Sequence, residues 1–557
     1  MSNTLPPLKT PIGTFQGIRS NGVTQYRGIK YASLIDQLSP PELITSYNPD
    51  TFVDATSFGP NAPGPSACLL EQATLIQCTL QIPTPDVAPR MSGTECLNLN
   101  ITAPDVQIQD GKNLPVLVWI HGGGFIMGAN SWAHYDPARL VALSEDLGMG
   151  IVIVSINYRL GVPGNLTSKE LRDAGYPGNN SLRDQKCALQ WVKKYIAAFG
   201  GDAGNVTVVG ESAGASSVLY QLHTKEPLFR RAISMSGTPI MLKSLPVAVA
   251  EMSYASIIKN FGLEGASIEE RIERLKSTSP EELVEKTPMS IPLLPCLVEN
   301  DGQDPNKTHL SHHGDTLVPS RTTFAGLAAI KTVQSDAIPG FKWCESLLIG
   351  STKHDGSVFL FMGLMQRKAG IASALSSSLR KHLSADAAAA ILDAYDITPT
   401  TGDDDAIKRI IDFATDIAYV APALAYARSF PGKAYLYNFD EVNPWDGPLK
   451  GLSSHLLDAA SLFQNFDEYL SNEAVKVAKT LALDFVRFVN GMEPWEKFSS
   501  ESSTCRVYGP SEKTVAGIVD DNGWEQGRRD TLWRLSESGI VDMDAVSVAW
   551  DMFLAER

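Results

Sequence analysis

The chain has 557 residues, 43 % of them hydrophobic and 20 % charged, an ordinary balance for a globular protein. Its formal net charge of −15 argues against nucleic acid or an anionic membrane surface as a partner. The strongest apolar runs, 114–120 and 150–156, fall far short of the roughly 20 residues a membrane-crossing helix needs, so no membrane span is expected.

The first ten residues, M-S-N-T-L-P-P-L-K-T, have no basic head followed by an apolar stretch. This predicts a cytoplasmic protein, or a secreted one if a leader has been removed. Seven cysteines, at 68, 78, 96, 187, 296, 344 and 505, are too sparse for a disulfide scaffold, and no pair has C-x-x-C spacing.

Further along, β-branched runs alternate with helical patterns. A strand over 114–120 is followed by a helix near 138–147, a strand over 151–157 and a helix near 182–198. A strand over 206–209, a helix over 213–223 and a strand over 232–235 continue the series. Such alternation predicts an α/β fold, with right-handed crossovers and a mostly parallel sheet covered by helices on both faces. From about 245 to 340 the chain is richer in Pro and charge and reads as helical insertions. Strand patterns return at 346–350 and 434–439, before an amphipathic helix near 472–490. Without a linker-like stretch or an internal repeat, residues 1–557 read as one domain with excursions.

Two segments carry the chemistry. N-V-T-V-V-G-E-S-A-G-A-S-S-V-L-Y (205–220) places Ser212 in a sharp turn between strand and helix. Three fixed positions in G-x-S-x-G are a weak signal alone; the strand–turn–helix setting makes the segment a nucleophile elbow. H-G-G-G-F (121–125) directly follows a predicted strand. Glycines there free backbone N–H groups to face a ligand, and with the amide of Ala213 they would form an oxyanion hole.

A nucleophilic serine needs an imidazole base and a carboxylate to orient it. In such folds acid and then histidine follow the serine along the chain. Beyond His223 in the elbow helix, the candidates are His309, His312, His313, His354, His382 and His455. His309, His312 and His313 sit in a polar loop, and His382 sits beside Lys381 on an apparent helix. His455 lies in G-L-S-S-H-L-L-D soon after the 434–439 strand, and Asp355 follows the 346–350 strand. Strand topology therefore favours Asp355 and His455, because ligands gather beyond the carboxyl ends of the strands.

Several motifs together resemble the type-B carboxylesterase family, which includes the cholinesterases and large fungal lipases. E-C-L-N-L-N (95–100) is similar to the family's E-D-C-L-x-L-N, and G-I-K-Y-A (28–32) to its G-I-P-Y-A. N-Y-R-L-G (157–161), D-Q-x-x-A-L-x-W-V (184–192), F-G-G-D (199–202) and M-S-G (235–237) follow in family order. The resemblance implies an α/β-hydrolase fold with Ser212 as nucleophile and Gly123, Gly124 and Ala213 as oxyanion donors. It sets Asp355 at the position of the triad acid, where the family usually has glutamate in D-E-G and this chain has H-D-G. Asp301, Asp304 and Asp315 are the nearby alternatives. His455 begins H-x-x-D-x-x-x-L-F, similar to the family's histidine loop. Glu211, Ser236 and Asp458 become supports that orient the reacting groups.

By the same resemblance Cys68 and Cys96 are spaced like the family's N-terminal disulfide, which closes a loop over the gorge. Residues 69–95 contain no Trp, Tyr or Phe, so the quaternary-ammonium site of cholinesterases is not expected. Leu69, Leu70, Leu75, Ile76, Leu80 and Ile82 could instead cover an apolar acyl group, or pack on the body of the protein. The expected activity is hydrolysis of an uncharged, small-molecule ester through an acyl-enzyme, with no metal or organic cofactor. An acyltransferase would use the same residues, and a non-catalytic recognition protein is the remaining alternative.

Overall fold

The computed structural model describes residues 7–20, 22–45, 50–81, 90–105, 113–297, 317–330, 336–499, 503–519 and 528–556. Among them, eleven strands build one sheet. The first five are β1 (Ile18–Ser20), β2 (Val23–Lys30), β3 (Asn98–Pro104), β4 (Leu114–Ile120) and β5 (Val152–Ile156). The others are β6 (Gly201–Glu211), β7 (Arg231–Met235), β8 (Ser346–Thr352), β9 (Lys433–Phe439), β10 (Cys505–Tyr508) and β11 (Ala516–Val519). Their spatial order is β11-β10-β9-β8-β7-β6-β4-β5-β3-β2-β1.

The seven strands from β10 to β5 in this order run parallel, and antiparallel strands flank them at both ends. Parallel strands covered on both faces read as unbroken apolar runs. β5, V-I-V-S-I, is buried at every position, and β4 is buried from Val116 to Ile120. The predicted central strands therefore coincide with the observed ones to within a few residues. The chain passes from β4 to β5 on one side and returns to β6 on the other. The carboxyl end of β4 is thus a topological switch point, where α/β sheets bind ligands.

Helices Ala138–Asp146, Asn180–Tyr195 and Ala213–Gln221 make the crossovers among β4, β5, β6 and β7. The 245–340 region contributes helices Val247–Asn260, Ile268–Ser277, Pro280–Lys286 and Phe324–Ala328 and, among its described residues, no strand. Ser267 starts the second of these with a capping box, bonding Glu270 N–H while Glu270 reaches back to the Ser267 amide. Tyr254, Ile257, Leu275, Leu283 and Leu293 form a small core of their own with Val162 and Leu166.

Between β8 and β9 a continuous helical stretch, Asp403–Ser429, is long and apolar enough to cross a membrane, but 94 % of its most apolar window is buried inside the protein. Consecutive apolar letters do not reveal it, because Thr415 and Asp416 interrupt the run.

A fully buried ion pair ties crossover to sheet. Arg159 donates from Nη2 and Nε to the two carboxylate oxygens of Asp184 at 2.7 and 2.8 Å, and from Nη1 to the carbonyls of Gln37 and Ser39 at 3.1 and 2.6 Å. The Cys68–Cys96 bridge implied by the resemblance is not formed; both thiols are free. Cys96 is wholly buried beside the Arg159–Asp184 pair, whereas the Cys68 sulfur accepts a bond from Gln72 Nε2 at 3.4 Å.

Part of the leucine loop packs on the body of the protein, one of the two expectations, and part is exposed. Ile76 is buried, Leu75 and Leu80 pack against the core, and Leu69 and Leu70 are exposed. Ile82 lies outside the described residues.

Candidate active site

β6 ends at Glu211 and a helix begins at Ala213, leaving Ser212 alone to turn the chain. It does so at φ 55° and ψ −117°, a strained conformation for a residue with a side chain. The turn is held by Ser212 N–H donating to Met235 O at 2.9 Å. Its tightness requires Gly214, where a Cβ would sit 2.0 Å from the carbonyl oxygen of Ile120. Ser212 is half-buried, between the buried Glu211 and Ala213.

The glycine loop leaves β4 at the switch point and meets this elbow. Gly123 and Gly124 have φ of +96° and +63°, and the Gly123 carbonyl accepts the N–H groups of Ile126 and Met127, each at 3.1 Å. Among the described residues, the amides of Gly123, Gly124 and Ala213 donate to no other protein group. These N–H groups are thus free to receive an oxyanion. His121 anchors the loop, stacked on Tyr158 at 4.4 Å, while Tyr158 Oη donates to the His121 carbonyl at 2.8 Å. Burial lowers its imidazole to about 4, so His121 is neutral there.

Asp355 and His455 come together as expected. His455 Nδ1 lies 2.8 Å from Asp355 Oδ1, and both side chains are buried. Asp355 Oδ2 accepts the Thr352 amide at 2.8 Å, and the His455 amide donates to Ser357 Oγ at 3.2 Å. A carboxylate at Nδ1 fixes a proton there and leaves Nε2 as the nitrogen placed to exchange a proton. Nε2 lies 3.1 Å from Glu211 Oε1, beside the serine. Among the described residues the Ser212 hydroxyl and His455 share no hydrogen bond, and such bonds often tighten only when substrate is present.

Charge around the imidazole is one-sided. Burial opposes protonation of His455, but Glu211, Asp355 and Asp458 outweigh it and push the group up to about 9. Burial, assisted by Asp458, Glu71 and Asp355, raises the Glu211 carboxyl well above its ordinary range, against the pull of His455. Asp458 takes Tyr437 Oη at 2.7 Å, its neighbour's amide at 2.8 Å and the Ser236 hydroxyl at 3.5 Å.

His354, next to Asp355, has its Nδ1 taken by the Ser453 amide at 3.1 Å, and the other candidates stand apart. His382 ends a helix against Glu556, and His223 is buried at the end of the elbow helix. His309, His312, His313, Asp301, Asp304 and Asp315 lie outside the described residues. Two contributors had no signal in the sequence: Tyr437, on a strand otherwise read for its apolar alternation, and Tyr419, whose ring centroid is 5.5 Å from that of His455. Among the described residues no group of three or more His, Cys, Asp or Glu is arranged to hold a metal ion.

Comparison with known proteins finds the same kinship across the chain. The carboxylesterase family profile matches residues 5–530. Para-nitrobenzyl esterase of Bacillus subtilis is 29 % identical over 548 residues, spanning 94 % of this chain and 98 % of that protein. Mouse bile salt-activated lipase is 42 % identical over 197 residues, 34 % of this chain and 31 % of that protein. A solved structure of PNB esterase superposes with a TM-score of 0.70 at 26 % identity, covering 94 % of this chain and 99 % of that one.

Proposed function

The chain belongs to the carboxylesterase family and is a carboxylic-ester hydrolase; from that premise we propose that it acts by two-step acyl transfer through Ser212, His455 and Asp355. His455 takes the proton of Ser212 as the hydroxyl attacks the ester carbonyl, and the amides of Gly123, Gly124 and Ala213 receive the oxyanion. The alcohol leaves with the proton held by His455. Water then attacks the acyl-enzyme, with the imidazole again as base. Asp355 keeps the tautomer and stabilises the imidazolium.

The observation that carries this reading is the buried Nδ1–Asp355 bond of 2.8 Å, which leaves Nε2 at the strained elbow. Glu211, Ser236 and Asp458 act by position and charge on His455 rather than by contact with the reacting bond.

The substrate we propose is an uncharged ester with an apolar acyl or alcohol part. Residues 69–95 offer no aromatic side chain to a quaternary ammonium.

The test is rapid-quench mass spectrometry with p-nitrophenyl butyrate. A butyryl group on the peptide containing Ser212, formed within the burst of p-nitrophenol, is expected. A burst without an adduct on that peptide would overturn the assignment.

A further inference from the structure

Cys68 begins the short helix Cys68–Glu71, half-buried, with the exposed Leu69 and Leu70 beside it. Its sulfur lies 3.8 Å from Nδ1 of His134, and the opposite ring nitrogen, Nε2, lies 2.9 Å from Glu71 Oε1. The same carboxylate oxygen accepts the Tyr135 hydroxyl at 2.7 Å. Gln72 Nε2 stands between the two, 3.4 Å from the sulfur and 3.2 Å from Nδ1. His134 is wholly buried and Glu71 nearly so, so solvent reaches this group from the cysteine side.

The chemistry of the arrangement follows from its order. The Glu71 carboxylate accepts the Nε2–H, which makes Nδ1 the acceptor on the thiol side of the ring, where the Gln72 N–H also approaches it. A carboxylate-oriented imidazole beside a thiol is the arrangement that activates a cysteine, since the thiolate is the nucleophile. The Gln72 N–H donated to sulfur favours negative charge there. Burial disfavours the imidazolium, but the bonds to Cys68 and Glu71 overcome it and raise His134 above its ordinary value. Packing alone would not call for a buried histidine–carboxylate pair, whose desolvation is costly.

We propose that Cys68, His134 and Glu71 form a second reactive centre, whose thiol takes small soft electrophiles, hydroperoxides foremost. The thiol proton passes to His134 Nδ1 and the sulfur attacks the terminal peroxide oxygen. The O–O bond breaks, and the departing oxygen takes the proton from His134 and leaves as alcohol or water. The sulfur is oxidised by two electrons to a sulfenic acid while the peroxide is reduced by two.

The test uses the full chain carrying Ser212→Ala, so that ester chemistry plays no part in the readout. Iodoacetamide labelling at pH 7, resolved by peptide mass spectrometry, is compared at Cys68 and at Cys78. The latter is equally half-buried, and burial alone pushes its thiol up. Cys68 is expected to react about ten-fold faster or more, because a neighbouring imidazole can accept the thiol proton as the sulfur attacks. His134→Gln is expected to bring it down to the Cys78 rate. Brief hydrogen peroxide followed by dimedone is expected to mark Cys68. Equal rates in the otherwise native chain, which need no further variant, would overturn the proposal; so would an unchanged rate in His134→Gln.

Discussion

His354 Nδ1 accepts the backbone N–H of Ser453 at 3.1 Å, and the Ser453 carbonyl accepts the His354 N–H at 2.9 Å. Asp355 is the next residue on one side of this clasp, and His455 is the second residue on the other. The 2.8 Å bond between them is therefore set by two loops fastened to each other rather than by side-chain reach. On the proposed mechanism, this lets an aspartate reach the imidazole where the family usually has a longer glutamate. Asp355→Asn is expected to lower kcat for p-nitrophenyl butyrate by about 10⁴-fold, through loss of the correct tautomer. Asp355→Glu is expected to fall between it and the native enzyme, because the extra methylene displaces the imidazole. Near-native turnover in Asp355→Asn would move the acid role to another carboxylate.

Ser212 makes a prediction with two opposite readouts. Its φ of 55° costs on the order of 1–3 kcal/mol for a residue with a Cβ, and glycine escapes much of this. Ser212→Gly is expected to melt above Ser212→Ala in calorimetry, while both lose turnover by about 10⁴-fold or more. Residual activity within ten-fold of native in either variant would count against Ser212 as the nucleophile.

The pH profile tests the ring of carboxylates. A histidine raised above its ordinary value is a free base only at higher pH, so the acid limb of kcat/KM is expected to have its midpoint above 6.5, towards about 9. Glu211 is the largest of the influences that raise it, so Glu211→Gln is expected to shift that midpoint downwards. A midpoint unmoved by the substitution would show that Glu211 is neutral in the working enzyme.

Away from the site, Arg159→Ala leaves Asp184 buried without its guanidinium partner and removes the Nη1 group that donates to both the Gln37 and Ser39 carbonyls. The expected cost is about 3–5 kcal/mol, measured as a lowered midpoint in urea. A loss below about 1 kcal/mol, the scale of an exposed pair, would contradict the burial of this bridge.

Much of this was legible in the sequence because it obeys local rules. The central strands β4, β5, β6 and β7 are apolar runs broken by helical periods, and Ser212 and Gly123 lie where two of those strands stop. The edge strands β1 and β11 leave no mark in the sequence because such short strands owe their state to the neighbour they pair with. Tyr437 and Tyr419 left no trace, since a tyrosine that serves Asp458 reads in sequence like one that fills a core. The free Cys68 shows the limit of motif transfer: spacing says which thiols could meet, while the groups around each sulfur decide whether they do.

In the sheet, Asp355 and His455 extend from adjacent strands, β8 and β9, whereas Ser212 extends from β6, with β7 lying between β6 and β8. A twist of the sheet centred on β7 would be expected to leave the bonded acid and imidazole together and to act chiefly on their separation from the serine. If Ser212 is the nucleophile, hydrostatic pressure or a softened β7 is expected to slow the formation of an acyl-enzyme before it disturbs the imidazole's orientation.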